Sequence, residues 1–137
     1  MKKMKKISLL LLALFVFASC LNHDDVPNYK FEFMAIDEAI TPDSFTFGES
    51  DTITIKYSFP NDCYSFEQIY YETKDSTRTV AVTAMVLLDE ECTEEIVQEE
   101  KKFVVTASQT EDYIFKFFKG TDSEGENIFE EVIVPVN

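Results

Sequence analysis

The chain has 137 residues, with 12 basic and 26 acidic side chains and a formal charge of −14. A field of that sign repels nucleic-acid phosphates and anionic headgroups, which excludes nucleic acid as a partner. A single histidine and no tryptophan leave few side chains for base catalysis or for stacking on sugars.

Residues 1–19 read as a targeting segment and stand outside the fold. Lys2, Lys3, Lys5 and Lys6 make a basic start, and residues 7–18 are apolar except for Ser8. Twelve helical residues span roughly 18 Å against a hydrocarbon core of roughly 30 Å, so a cleaved signal is expected and a membrane-spanning helix is not. The segment closes on Phe17-Ala18-Ser19-Cys20. This resembles the lipobox of bacterial lipoproteins, with Phe17 where leucine is usual. The resemblance implies cleavage before Cys20 and two or three acyl chains, palmitate among them, on that cysteine. At roughly 0.8 kcal/mol per buried CH₂, more than one chain anchors a protein stably. The membrane, reached through lipid on Cys20, is therefore an expected partner, and the outer membrane of a bacterial cell envelope the expected location.

Residues 20–29 form a tether containing His23, Asp24 and Asp25. Its acidic part resembles the surface-export signal of Bacteroidetes-type lipoproteins; a solvated linker has the same composition. Its reach is at most ~30 Å, which keeps the domain near its membrane. Without the four signal lysines the balance moves from −14 to −18.

From residue 30 the period is two. Residues 30–40 supply a first strand, closed by Thr41-Pro42-Asp43. Residues 51–59 alternate most cleanly, with Ile53, Ile55, Tyr57 and Phe59 on one face and Thr52, Thr54, Lys56 and Ser58 on the other, as in a half-buried strand. The turn Pro60-Asn61-Asp62 leads to residues 63–72, rich in Tyr and Phe, where Tyr64, Phe66 and Tyr70 are expected to face the core and Ile69 and Tyr71 the solvent. Residues 77–88 are apolar on both faces, as in a central strand. Residues 95–106 carry Gln98-Glu99-Glu100-Lys101-Lys102 in mid-run, which predicts an edge strand guarded by charge and bulged. Residues 112–119 point Tyr113, Phe115 and Phe117 inward. The loop 120–126 leads to the last strand, 127–136, where Pro135 fits only an edge or a strand end.

With Cys20 lipidated, Cys63 and Cys92 are left, and an exported domain pairs them. The loop so closed has 30 residues, for which chain entropy gives roughly 3.5 kcal/mol. About seven strands at ten-residue spacing predict an all-β fold, a single β-sandwich over residues 30–137. The run Glu111-Asp112-Tyr113-Ile114-Phe115-Lys116-Phe117 resembles the sixth strand of immunoglobulin-like domains, which implies an immunoglobulin-like or fibronectin-like architecture with Tyr113 as a tyrosine corner. Across residues 53–71 and 113–134 the chain is also similar to small lipoproteins of Bacteroidetes bacteria, a resemblance that brings no activity with it.

Nucleophilic catalysis needs a base beside a Ser or Cys, and His23 lies in the tether, outside the domain. No enzyme and no cofactor are expected. Asp122, Glu124, Glu126 and Asn127 offer oxygen ligands at near-alternate positions around Gly125, as calcium prefers; the same residues describe a hairpin turn. The function expected is a non-enzymatic interaction or structural module with a protein or glycan partner in the envelope. The alternative is an accessory lipoprotein that captures glycan or calcium.

Overall fold

The computed structural model describes residues 26–137. The targeting segment, the lipobox and Cys20 lie outside the described residues.

Period-two alternation sets the architecture. A strand with Ile53, Ile55, Tyr57 and Phe59 on one side has one face to bury, and two such sheets bury theirs against each other. Eight strands do so: β1 (Tyr29–Met34), β2 (Ile36–Ile40), β3 (Ser50–Phe59), β4 (Tyr64–Lys74), β5 (Thr77–Leu87), β6 (Val97–Thr106), β7 (Tyr113–Thr121) and β8 (Asn127–Val134). β2, β3 and β6 form one sheet in that order, and β1, β4, β5, β7 and β8 form the other. This is the single β-sandwich that the spacing predicts, with one strand more. The expected first strand, 30–40, folds as two: β1 pairs with β5 and β2 with β3, so the chain changes sheets at Ala35. The crossing lets Met34 reach the core from one sheet and Ile36 from the other.

β5 is central, as its two apolar faces require. β4 runs along one of its edges; the other edge takes β1 over Val82–Leu87 and β7, in parallel, over Thr77–Val80. Between the sheets Tyr57, Phe59, Phe45, Tyr113, Phe115 and Phe117 are all but inaccessible. Their rings interact in series, Tyr57 with Phe59 at 5.2 Å and Phe115 with Phe117 at 5.7 Å between centroids. Each such pair adds about 0.5–1.5 kcal/mol to what burial of its area contributes.

Three connections hold the sandwich shut. The Tyr113 hydroxyl accepts the Ser108 N–H at 3.0 Å and donates to the Thr106 carbonyl at 3.5 Å, so Tyr113 is a tyrosine corner. Lys119 of β7 donates to the carbonyls of Ile36 and Asp37 in the opposite sheet, at 2.7 and 3.0 Å. Cys63 and Cys92 are bonded, with Cα atoms 5.5 Å apart, and tie the start of β4 to the segment that leads into β6. Pro135 lies just past β8, an edge strand, where its missing N–H breaks no ladder; its carbonyl accepts the Phe45 N–H at 2.8 Å.

β6 is the expected edge strand, but it is not bulged. It pairs with β3 residue for residue from Ser50↔Thr106 to Phe59↔Val97. Its charges guard the edge differently: Glu99 and Lys101 lie on the same side as the buried positions of β3. The Tyr57 hydroxyl donates to Glu99 Oε2 at 2.7 Å, and Lys101 Nζ lies 4.5 Å from the Phe66 ring centroid. Charges pointing inward at an edge discourage a second strand from adding there. Burial, and then Glu99, pushes the Tyr57 phenol far above its usual range.

Candidate functional site

The outer face of the five-stranded sheet differs from any other surface of the domain because β1 and β4 both turn rings onto it. β1 alternates Tyr29, Phe31 and Phe33 against Lys30, Glu32 and Met34, and the second set faces the core side. In register, Phe31 stands beside Met85 and Phe33 beside Thr83 on β5. In β4 a bulge at Glu67, between Phe66 and Gln68, reverses the alternation. Tyr64 and Phe66 therefore pack on the core as expected, but after the bulge it is Ile69 that does so. Tyr71 reaches Phe103 of the opposite sheet, at 5.8 Å. Tyr70, expected inside, is turned out and meets the Phe33 ring at 5.1 Å. The expectation of Tyr70 inside and Ile69 outside is thus corrected by one inserted residue, while Tyr71, though it leans on Phe103, stays 39 % exposed.

Phe33 and Tyr70 form a ridge with a trough on each side. The larger, ≈430 Å³, is lined by Phe31, Phe33 and Tyr70 with Glu32, Glu67, Gln68 and Thr83. The smaller, ≈180 Å³, shares the ridge and continues over Ala81 to Phe118, Phe129, Glu72 and Asn127. Phe31 is 53 % and Phe33 47 % exposed, and Phe129 closes the far end at 38 %. No Lys or Arg lines either trough. Under the larger trough lies Thr83, 8 % exposed, between Phe33 on one neighbouring strand and Gln68 on the other. Its Oγ1 is the one buried side-chain oxygen or nitrogen among the described residues without a hydrogen-bond partner.

A second hollow, ≈520 Å³, lies between the sheet edges and is lined by Tyr71, Phe103, Tyr113 and Arg78, among others. Arg78, the chain's only arginine, is buried. Its guanidinium donates to the Asp75 and Thr77 carbonyls at 2.8 and 3.0 Å and to Gln109 Oε1 at 2.7 Å, and it sits 4.7 Å from the Tyr113 ring centroid. Those bonds hold the β4–β5 turn, where Asp75 has φ 52°, and the loop before β7 onto the tyrosine corner. Arg78 is a strut of the fold. Burial raises the Tyr71 phenol while the Arg78 charge opposes the shift.

Of the residues that the sequence singles out, Cys20 lies outside the described residues. Cys63 and Cys92 meet as expected. Asp62 joins them, but both sulfurs are spent on each other, and its Oδ1 accepts the Thr93 N–H at 2.8 Å. Asp122 Oδ1 accepts the N–H groups of Glu124 and Glu126 at 2.8 and 2.9 Å, and Gly125 takes φ +83°. This is the hairpin turn that the same residues describe, with Asp122 closing it from within. Among the described residues no cluster of three acidic ligands includes Asp122, Glu124 or Glu126; Asn127 opens β8 and lines the smaller trough instead.

Phe31, Phe33 and Thr83 escape a reading by alternation, since an isolated sequence does not say which face of β1 meets the other sheet. The one signal present is that β1 carries rings on one parity and Met34 on the other.

The family model of the ORF11 β-sandwich domain matches residues 53–128. No curated protein and no solved structure matches the chain.

Proposed function

This chain belongs to the ORF11 β-sandwich domain family, and we propose that its sandwich serves as a lipid-anchored interaction module on a bacterial envelope membrane. It acts by presenting a surface and turns nothing over. Its anchor is lipid on Cys20, in the manner of Bacteroidetes-type lipoproteins, and its station is the outer membrane. The lipobox-like run ending at Cys20 and the acidic tether support that placement. The inventory supports the absence of turnover: the only histidine is His23, in the tether.

The observation that carries the reading is the continuous ring-bearing face of the five-stranded sheet. Scattered apolar side chains are normal on a surface, whereas a contiguous patch rimmed by polar groups marks a contact site. Here Tyr29, Phe31, Phe33, Tyr70 and Phe129 run across one face, rimmed by Glu67 and Glu72.

A photo-crosslinking amino acid placed at Phe31 in intact cells should yield discrete adducts, and the same group at Thr54, on the outer side of the other sheet, should not. Equal labelling from both positions, or none from Phe31, would refute the reading. The anchor is tested separately by metabolic labelling with a fatty-acid probe, which wild type should incorporate and Cys20→Ala should not.

A further inference from the structure

We infer that the occupant of the two troughs is an uncharged glycan chain, at least two sugar units long, laid across the Phe33–Tyr70 ridge. The inference rests on the reading of this sheet face as the contact surface.

The lining chemistry selects the class of ligand. Ring faces carry negative quadrupole charge and attract the C–H-rich face of a pyranose, whose hydrogens are slightly positive. Around those rings stand acceptors: the Glu67 carboxylate, the Gln68 amide, and beyond the ridge Glu72 and Asn127. Sugar hydroxyls are donors, and hydrogen bonds to carboxylates are the stronger kind. With no Lys or Arg in either lining, an anionic ligand would face uncompensated carboxylates, and so would a second copy of this acidic chain. A flat protein surface would seat on the rings but leave both troughs unfilled. A chain of sugar units fills one trough, crosses the ridge and enters the other.

Thr83 is the independent observation. An unpartnered hydroxyl costs stability when buried, and here it lies directly beneath the larger trough. Rotation about χ1 to another staggered well carries the hydroxyl out of its unpartnered position and presents a hydrogen-bonding group to a seated ligand.

The full chain, purified in a zwitterionic detergent without a sugar headgroup, can be tested by saturation-transfer NMR. The probes are neutral hexasaccharides of β-1,3-glucan, β-1,4-glucan, α-mannan and β-1,4-xylan, with polygalacturonate as the anionic counter-probe. At least one neutral probe should bind, weakened about tenfold by Phe33→Ala or Tyr70→Ala and about fivefold by Thr83→Val. Phe47→Ala, which removes an exposed ring elsewhere, should leave binding unchanged. The inference falls if no neutral probe binds, if polygalacturonate alone binds, or if Phe33→Ala binds as wild type does. Should Phe31 crosslink to a protein or to a second copy while every glycan fails, the inference falls and the interaction reading stands. Should both experiments fail, both readings fall.

Discussion

The two sheets of this sandwich obey the same alternation and finish their outer faces in opposite ways. Outside the three-stranded sheet, Lys56 Nζ lies 2.7 Å from Glu38, Lys102 3.7 Å from Glu100, and Ser58 donates to Asp37 at 2.7 Å. Thr52 and Thr54 fill the space between, and Ile40 and Val104 are the exposed apolar side chains, neither of them a ring. Outside the five-stranded sheet the corresponding positions are rings over Ala81 and a threonine hydroxyl that bonds to nothing. Polar and paired side chains are what a face needs when water is its only neighbour. Half-exposed rings gain less from burial than core rings do, and an unpaired buried hydroxyl costs stability, so the second face is shaped for a contact that the first is not. The difference separates what holds the sandwich together from what it displays.

The largest effect should come from the bond that ties the two sheets together. Replacing Cys63 and Cys92 by Ser should cost on the order of 2–4 kcal/mol, a large part of a small domain's stability. Urea unfolding of oxidised wild type and the double mutant measures it. A loss well below that range would mean that the sheets are held by packing alone.

Next comes the tyrosine corner. Tyr113→Phe leaves the Ser108 N–H without its acceptor, which should cost about 1–3 kcal/mol. The loss should appear in chemical denaturation, with the patch on the opposite side of the sheet unaffected in crosslinking from Phe31.

Tyr57 links the core to the charged edge and gives a pH test. Its folded pKa is raised above the ordinary 10.0 by burial first and by Glu99 second. The folded protein therefore holds this proton more tightly than the unfolded chain does. The contribution is complete below the unfolded value near 10 and is lost as pH rises beyond it. Melting curves should fall more steeply above that pH in wild type than in Tyr57→Phe. Parallel curves would place the alkaline loss elsewhere.

The smallest effects compare the two outer faces directly. Thr83→Val removes the unpaired hydroxyl and should stabilise the ligand-free protein by about 1 kcal/mol. Lys56→Ala breaks an exposed ion pair and should leave the melt unchanged within error. If Thr83→Val destabilises instead, the hydroxyl has a partner in solution and the contrast between the faces narrows.

Much of the fold was legible in advance because alternation is local. The inward sets of β3 and β7, the central place of β5 and the edge position of β6 all follow from side chains read two apart. The pairing of Cys63 with Cys92 followed from there being no other cysteine in the domain. Less of the site was legible. Alternation misplaces Tyr70 because the bulge at Glu67 shifts everything after it by one residue, and nothing in the run Phe66-Glu67-Gln68 announces a bulge. The residues around Asp122 admit two readings, and the contact that makes them a hairpin, the carboxylate accepting backbone N–H groups, is a matter of geometry and not of composition.

By itself, then, the sequence determined the all-β class, the core side chains and the cysteine pair, because period, composition and inventory are properties of the chain alone. Tertiary structure decided which face of β1 looks outward, where β4 changes parity, and that rings from two strands distant in sequence meet as one ridge. Those outcomes depend on which strands become neighbours, and neighbours are chosen by the packing of the whole sandwich, which no single segment encodes.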